Sequence, residues 1–504
     1  MKLSKPACMA TITFFVVAAS LPLTAQGHNQ KHHHYKLIDM GTLGGPQSYL
    51  TIPDNYAAVL NDQGTVTGWA DTSTIDPYPN FCFNEDCFVS HAFQSRTGNL
   101  TDLGALPDGA SSASTWISPN GLIAGVSQNG EIDPLVSGFP EFRAVLWKHG
   151  NISDLGTLPA GGYESIANAV NNSGLVVGVA TNTTPDANSM FGLGYQTRAF
   201  RWDNETGMQD LGTLGTGTDA EALLVNQHEQ IVGVSYTNSV PSSYCAQSFD
   251  LSLTTGAFLW QNGSMKDLGN FGGTCTFPTD LNDQGQVVGI STVSGDQFQH
   301  AFLWNHGSLN DLPNAIGGNN GAAVALNNAG DVVGWASLPG DQDIQAALWR
   351  NNTMTDLGTV GGDPCSVGFS INATKQVIGV SVPACDFSQS RAFLWEDGSI
   401  VDLNTLIPPH SKLYLTSPAT INDQGEIAGV GLDSNRKEHA FLLSPCDKHH
   451  PDVDGCDYAL VDATAASSRP SPMVGDVSSR SLPQSLMRRM KRYHLPGRAF
   501  GPGN

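Results

Sequence analysis

One short phrase returns eight times along this chain, and it limits the possible folds more than any other feature. A run such as Gln286–Val287–Val288–Gly289–Ile290–Ser291 leads to His300–Ala301–Phe302–Leu303–Trp304, and then to an Asp–Leu pair. The pair recurs as Asp39–Met40, Asp102–Leu103, Asp154–Leu155, Asp210–Leu211, Asp267–Leu268, Asp311–Leu312, Asp356–Leu357 and Asp402–Leu403, at spacings of 44 to 63 residues. Such self-similarity marks an array of one supersecondary unit, because a unit this small cannot bury its apolar face alone.

Each unit divides into four short runs. In the fifth these are Cys275–Asn282, Gln286–Ser291, Gln299–Asn305 and Ser308–Pro313. Val, Ile, Phe, Leu and Trp dominate the runs, while Asn, Asp and Gly fill the breaks, which is the strand-and-hairpin signature. Asn–Asp–x–Gly recurs at Asn61–Gly64, Asn282–Gly285 and Asn422–Gly425, with variants at Asn171–Gly174 and Asn327–Gly330. Asn bends back onto its own backbone and Gly accepts positive φ, so each should close a hairpin, with no function required to explain it.

Four strands in roughly 45 residues is the size of a β-propeller blade. The second run carries a Gly eight times: Gly68, Gly125, Gly178, Gly233, Gly289, Gly334, Gly379 and Gly429. A lone fourth run, Tyr35–Leu43, opens the array, and its last unit stops after a third run at Leu443. Left open, both ends would be bare sheet edges. The expected fold is therefore all-β: an eight-bladed β-propeller of four-stranded blades over 35–443, closed by the N-terminal strand completing the last blade. A linear β-solenoid is the alternative; it explains the repeats but not the complementary ends.

The ends read differently. Lys2 and Lys5, the apolar run Ala7–Leu23 and Leu23–Thr24–Ala25 before Gln26 have the layout of a signal peptide over 1–25. A membrane anchor is the alternative, but Pro22 breaks the run and no later stretch is apolar enough to span. The expectation is a secreted protein, with a periplasmic or surface-associated location left open. Residues 26–34 read as a flexible His-rich N-terminus, where His28 and His32–His34 could hold a metal adventitiously. Residues 444–462 read as an acidic extension tied by a disulfide. The tail 463–504 carries Arg469, Arg480, Arg488, Arg489, Lys491, Arg492 and Arg498 against Asp476, and reads as disordered. Formal net charge is −22 over the whole chain, so the remainder is more acidic still. Such a surface repels nucleic acid and favours cations or basic partners. A monomer is expected.

Nine cysteines become eight without Cys8, and export makes disulfides the expected state. Spacing suggests Cys82–Cys87 and Cys446–Cys456, with Cys245–Cys275 and Cys365–Cys385 completing the set; a metal site is the alternative. Six tryptophans, Trp147, Trp202, Trp260, Trp304, Trp349 and Trp395, close the third run and should fill gaps between blades. The eight repeated Asp residues should fix turns by accepting backbone N–H bonds. Asp452–Val453–Asp454–Gly455–Cys456–Asp457 resembles part of a Ca²⁺ loop, making Asp452, Asp454 and Asp457 a weak Ca²⁺ candidate. An EF-hand would need acids where His450 and Val461 stand.

The phrases His300–Ala301–Phe302, His439–Ala440–Phe441 and Arg198–Ala199–Phe200, with the run Asp39–Met40–Gly41–Thr42–Leu43–Gly44–Gly45, resemble the bacterial extracellular HAF-repeat family. The resemblance covers roughly Tyr35 to Leu443, with departures at Arg143–Ala144–Val145, Gln345–Ala346–Ala347 and Asp311–Leu312–Pro313. It implies an exported bacterial protein and brings no catalytic residues.

Phosphate-loop, zinc-protease and Gly-x-Ser-x-Gly motifs are missing from the sequence. No catalytic, cofactor-binding or firm metal residue is therefore assigned. The first expectation is a non-enzymatic binding or interaction module for an unknown glycan or protein. It would use the face that carries the variable links Ala70–Ser90, Ser127–Glu141, Ala180–Thr197, Ser235–Thr255 and Thr292–Phe298, or else the central channel. The alternatives are a polysaccharide hydrolase or lyase with carboxylates in the channel, and a structural cell-surface component.

Overall fold

The computed structural model describes residues 31–50, 58–84, 86–385, 389–451 and 453–462. Eight antiparallel four-stranded sheets stand in a ring, an eight-bladed β-propeller. Blades 1 to 4 are built from Gly44–Tyr49, Val66–Ile75, Phe88–Ser95 and Thr101–Gly104; Ser112–Ile117, Ile123–Ile132, Pro140–Lys148 and Asn151–Asp154; Ser165–Val170, Val176–Pro185, Tyr195–Asp203 and Gly207–Asp210; and Ala220–Val225, Ile231–Pro241, Leu253–Gln261 and Ser264–Asp267. Blades 5 to 7 follow as Gly272–Leu281, Val287–Val293, Gln299–Asn305 and Ser308–Asp311; Gly321–Leu326, Val332–Ser337, Ile344–Arg350 and Thr353–Gly358; and Cys365–Ile371, Val377–Val382, Arg391–Glu396 and Ser399–Asp402. The first strands of successive blades touch one another and so stand innermost.

The seam closes as the phase of the repeats predicts. Blade 8 comprises Tyr414–Ile421, Ile427–Leu432 and Glu438–Pro445, and its fourth strand is Tyr35–Asp39, running antiparallel with Tyr35 opposite Pro445 and Asp39 opposite Phe441. The pairing is tight because Tyr35, 3 % exposed, packs with Leu443 and Leu406, and its backbone N–H donates to the Leu406 carbonyl at 2.8 Å.

The N-terminal stretch corrects one expectation. Lys31–His33 is not flexible: it forms a two-stranded sheet with Leu460–Asp462. His32 is 1 % exposed, with Nδ1 2.8 Å from Glu396 Oε1. Burial against a carboxylate, rather than the metal binding suggested by the His run, explains this histidine. The expected signal over 1–25, His28 and the tail 463–504 lie outside the described residues.

The repeated Gly of the second strand has one cause throughout. In blades 2 to 8 the first strand carries one extra residue opposite it, at Thr115, Asn168, Leu223, Thr279, Val324, Phe369 and Ala419. That bulge swings the first-strand backbone inward, so a Cβ on any of the eight glycines would lie against a first-strand carbonyl oxygen, far inside van der Waals contact. The Phe of the third-strand phrase occupies the same place from the other side, as Phe258 does at Gly233 and Phe393 at Gly379.

Candidate functional site

The ring has two unlike faces. On one, the turns between first and second strands form a continuous polar necklace. Each turn Asn accepts N–H bonds from its own turn, as Asn282 Oδ1 does from Gln284 and Gln286. Its Nδ2 then reaches the backbone carbonyl of the next blade's turn Asn, from Asn171 to Asn226, Asn282, Asn327, Asn372, Asn422 and on to Asn61, at 3.0–3.1 Å. The last of these links spans the seam. Blade 2 departs from the pattern: Ser118 stands in the Asn position and Asn120 makes the link to Asn172.

Inside the necklace lies a cavity of about 300 Å³, bounded by Leu224, Leu281, Leu326 and Trp116, with Asp62, Asp283 and Asp423 on its rim. Sequence reasoning treated these turns as hairpin closures and passed over the residue after each Asn. The acid in Asn–Asp–x–Gly was the available signal. On the channel wall, Asp280 accepts N–H bonds from Leu281 and Leu326, at 2.8 and 2.9 Å, and burial pushes its carboxyl up to about 6.

The opposite face is uneven. The second strands of blades 1 to 4 run to 10 or 11 residues, against 6 or 7 in blades 5 to 8. The four longest variable links are therefore partly strand: after a register break they pair again at Ile75–Phe88, Ile132–Pro140, Pro185–Tyr195 and Pro241–Leu253. Their tips interlock into a crest. Phe83, Phe139, Phe142, Phe191 and Leu193 share one cluster with Tyr49 and Trp69, with ring centroids 5.2–5.4 Å apart for Phe81–Phe139, Phe139–Phe142 and Phe83–Phe142. Four exposed aliphatic side chains stand on it: Ile75, Ile132, Leu135 and Val240.

Acids beneath the crest are latches. The residue before a first strand accepts a backbone N–H from the preceding blade's third strand: Glu164 from Phe142 at 2.6 Å and Asp219 from Thr197 at 3.1 Å. Away from the crest, Asn320 takes the same place between blades 5 and 6, accepting from Gln299 at 3.1 Å. Burial raises Glu164 well above the carboxylate range and Asp219 to about 6. Asp71 is fully buried and accepts from Asn84 and Ser90; burial and the carboxyl of Asp86 beside it push its proton affinity to about 7.

Seven of the eight repeated Asp residues sit as turn acceptors, taking the N–H two residues on at Gly41, Gly104, Gly156, Gly212, Gly269, Gly358 and Asn404; Asp311 does not, because Pro313 has no N–H to give. Several also pair across strands with the first residue of the third-strand phrase, in His91–Asp102, Arg198–Asp210, His300–Asp311 and His439–Asp39. Of the tryptophans, Trp147 packs with Leu103 and Leu106 of the preceding blade and donates to the Leu103 carbonyl at 3.1 Å. Trp260 and Trp304 lie under Arg201 and Lys266 of the preceding blades.

All four disulfides form: Cys82–Cys87, Cys245–Cys275, Cys365–Cys385 and Cys446–Cys456. The first closes a crest link, while the second ties the blade 4 helix Ser243–Ser248 to the first strand of blade 5. Of the Ca²⁺ candidates, Asp452 lies outside the described residues, Asp454 is exposed, and Asp457 accepts from Ala459 and faces His34 at 3.6 Å. Among the described residues, no helix is long and apolar enough to cross a membrane.

No family model and no curated protein matches the chain. Solved structures resemble it at low identity. An acylaminoacyl peptidase of Pyrococcus horikoshii is 13 % identical with a TM-score of 0.40, over 73 % of this chain and 56 % of its own. TolB of Acinetobacter baumannii is 12 % identical with a TM-score of 0.30, over 64 % and 80 %, and the sialidase of Trypanosoma rangeli is 11 % identical with 0.29, over 59 % and 56 %. This chain thus spans little more than half of the peptidase. At these scores the likenesses carry no argument about activity.

Proposed function

We propose that the protein is an exported, non-enzymatic interaction module of the HAF-repeat kind that holds a protein partner on the crest of blades 1 to 4. The observation that carries this reading is the sorting of side chains there. The Phe side chains of the blade 1 to 3 links, which would stack on sugars, pack inward into one cluster, and Phe249 of the blade 4 link stacks on Phe277, whereas Ile75, Ile132, Leu135 and Val240 face water. Exposed aliphatics on a rigid, interlocked support suit a protein surface better than a glycan. The four disulfides fit an oxidising location. The test is capture of partners on the full chain, compared with I75S/I132S/V240S. Loss of captured proteins with an unchanged melting temperature supports the reading, and identical capture by both overturns it.

A second reading, polysaccharide cleavage, is favoured by one observation: Asp71, buried beside the carboxyl of Asp86, has the raised proton affinity that a general acid needs. Turnover on a polysaccharide panel that D71N abolishes would establish it in place of the first.

A further inference from the structure

We propose that the channel mouth on the necklace face binds an organic ammonium ion, with its charge at Asp62 and Asp423 and its hydrocarbon part in the throat against Trp116. Three observations meet there. The first is the cavity itself, about 300 Å³, with a polar rim above walls of Leu224, Leu281 and Leu326. That is the form of a small-molecule site, an apolar body with a few directed polar groups.

The second is Trp116. The other seven blades carry no tryptophan at this first-strand position. The indole packs against three apolar clusters, two of them built on blades 2 to 4, as well as lining the cavity beside Leu224, so it leans into the throat. It remains partly exposed and makes no hydrogen bond among the described residues. An indole face held at the base of an open mouth is a surface for a cation or an apolar ring.

The third is charge. Asp62 and Asp423 are neighbours across the seam: the Asp423 N–H donates to Asp62 Oδ1 at 3.1 Å, and the Ala373 N–H donates to Asp423 Oδ1 at 2.8 Å. Each keeps its second carboxylate oxygen free of hydrogen bonds among the described residues. Among the described residues, no Lys, Arg or His forms an ion pair with Asp62, Asp283 or Asp423. Asp283 stands on blade 5, on the far side of the ring from blade 1, so the three acids do not converge on one point. A divalent metal needs several oxygens within one coordination shell. A monovalent ammonium needs only nearby charge and a face to lie on, and here it has both. The net acidity of the chain raises its local concentration.

The experiment is titration of the full chain with phenethylammonium, followed by tryptophan fluorescence and calorimetry at low salt. The neutral 2-phenylethanol and Ca²⁺ serve as comparison ligands. Saturable binding is expected, at least tenfold weaker for 2-phenylethanol and at least tenfold weaker in D62N/D423N. The Asn side chains there still accept the neighbouring N–H bonds, so the ring should melt as before. W116L should weaken binding similarly, and W116F should restore part of it. Absence of saturable binding, equal affinity for the neutral analogue, displacement by equimolar Ca²⁺, or full affinity in folded D62N/D423N would each overturn the proposal. Binding here and binding at the crest lie on opposite faces, so either can fail without the other.

Discussion

Blades 1 to 4 and blades 5 to 8 share one core and differ only above it. In both halves a bulge on the first strand faces a Gly on the second, and the necklace runs through both. The difference lies at the far ends of the second strands, which continue for three or four more residues in the first half and carry an interlocked crest. Blade-to-blade packing therefore depends on the lower part of the unit, where every repeat obeys the same close approach, and that leaves the upper ends free to vary. The four large apolar side chains exposed above the ring all belong to the half with the crest.

The largest effect should come from the bare half, at the seam. A chain beginning at Gly41 loses the fourth strand of blade 8, exposes the edge at Glu438–Pro445, and uncovers Leu443 and Leu406. No crest bridges that joint to compensate. Calorimetry should show loss of one cooperative transition, or a fall of about 10 °C or more. An unchanged melt would mean that the ring does not depend on its closing strand.

A sharper comparison puts the same substitution in both halves. Gly178→Ala in blade 3 and Gly334→Ala in blade 6 each force a Cβ into a first-strand carbonyl, of Ile166 and Ala322 respectively. Each should cost about 2–4 kcal/mol in denaturant unfolding. Equal costs would confirm a common core. A much smaller cost in blade 3 would mean that the crest holds its blades together independently of the bulge.

Next in size are the crest disulfides. Removing Cys245–Cys275, which closes 30 residues, should cost about 3.5 kcal/mol, and Cys82–Cys87, which closes 5, about 2 kcal/mol. Protease should then cut the links 76–87 and 242–252 before the ring itself. Simultaneous loss of ring and crest would show that the halves are not separable.

What the sequence disclosed follows from which interactions recur. Strand count and seam were legible because each is repeated or complementary: eight Asp–Leu pairs and a lone fourth run at Tyr35. The eight cysteines beyond Cys8 allowed full pairing, and spacing suggested the partners, but the count alone leaves the connectivity open. The crest was read as loop because Thr72–Thr74 and Thr181–Thr184 are polar without alternation; only pairing after a register break reveals them as strand. The necklace was half legible. The Asn turn is local, but its Nδ2 bond reaches a carbonyl 45 to 361 residues away. Trp116 has no counterpart in the repeat, and nothing in its local sequence places it at the throat. Likewise His32 sits in a run that reads as a mobile tag until Glu396 is brought to it.

The smallest expected effect separates blades by pH. The phrase begins with His in blades 1, 5 and 8, and in blades 5 and 8 the hydrogen bonds from His300 to Asp311 and from His439 to Asp39 raise both imidazoles above their ordinary value, against the opposing effect of burial. In blade 3 the corresponding pair is Arg198–Asp210, with a guanidinium in place of the imidazole. A raised folded-state His contributes stability that is complete below the unfolded value of about 6.5, and that stability disappears as pH rises through the folded value. Asp39 works at the other end. Burial pushes it up, but the bonds from His439 and the Gly41 N–H outweigh this and leave it lowered, so its contribution is lost only as pH falls through that lowered value. Both pairs are partly exposed, 33 % and 50 % for His300–Asp311 and 18 % and 33 % for His439–Asp39, so water screens them, and the fall in Tm from pH 6 to pH 8.5 should be only about 1 °C. H300Q/H439Q should remove that slope, and R198Q should leave it untouched. A slope that persists in H300Q/H439Q would place the titrating groups elsewhere, with the buried Asp71 of the crest half the first to examine.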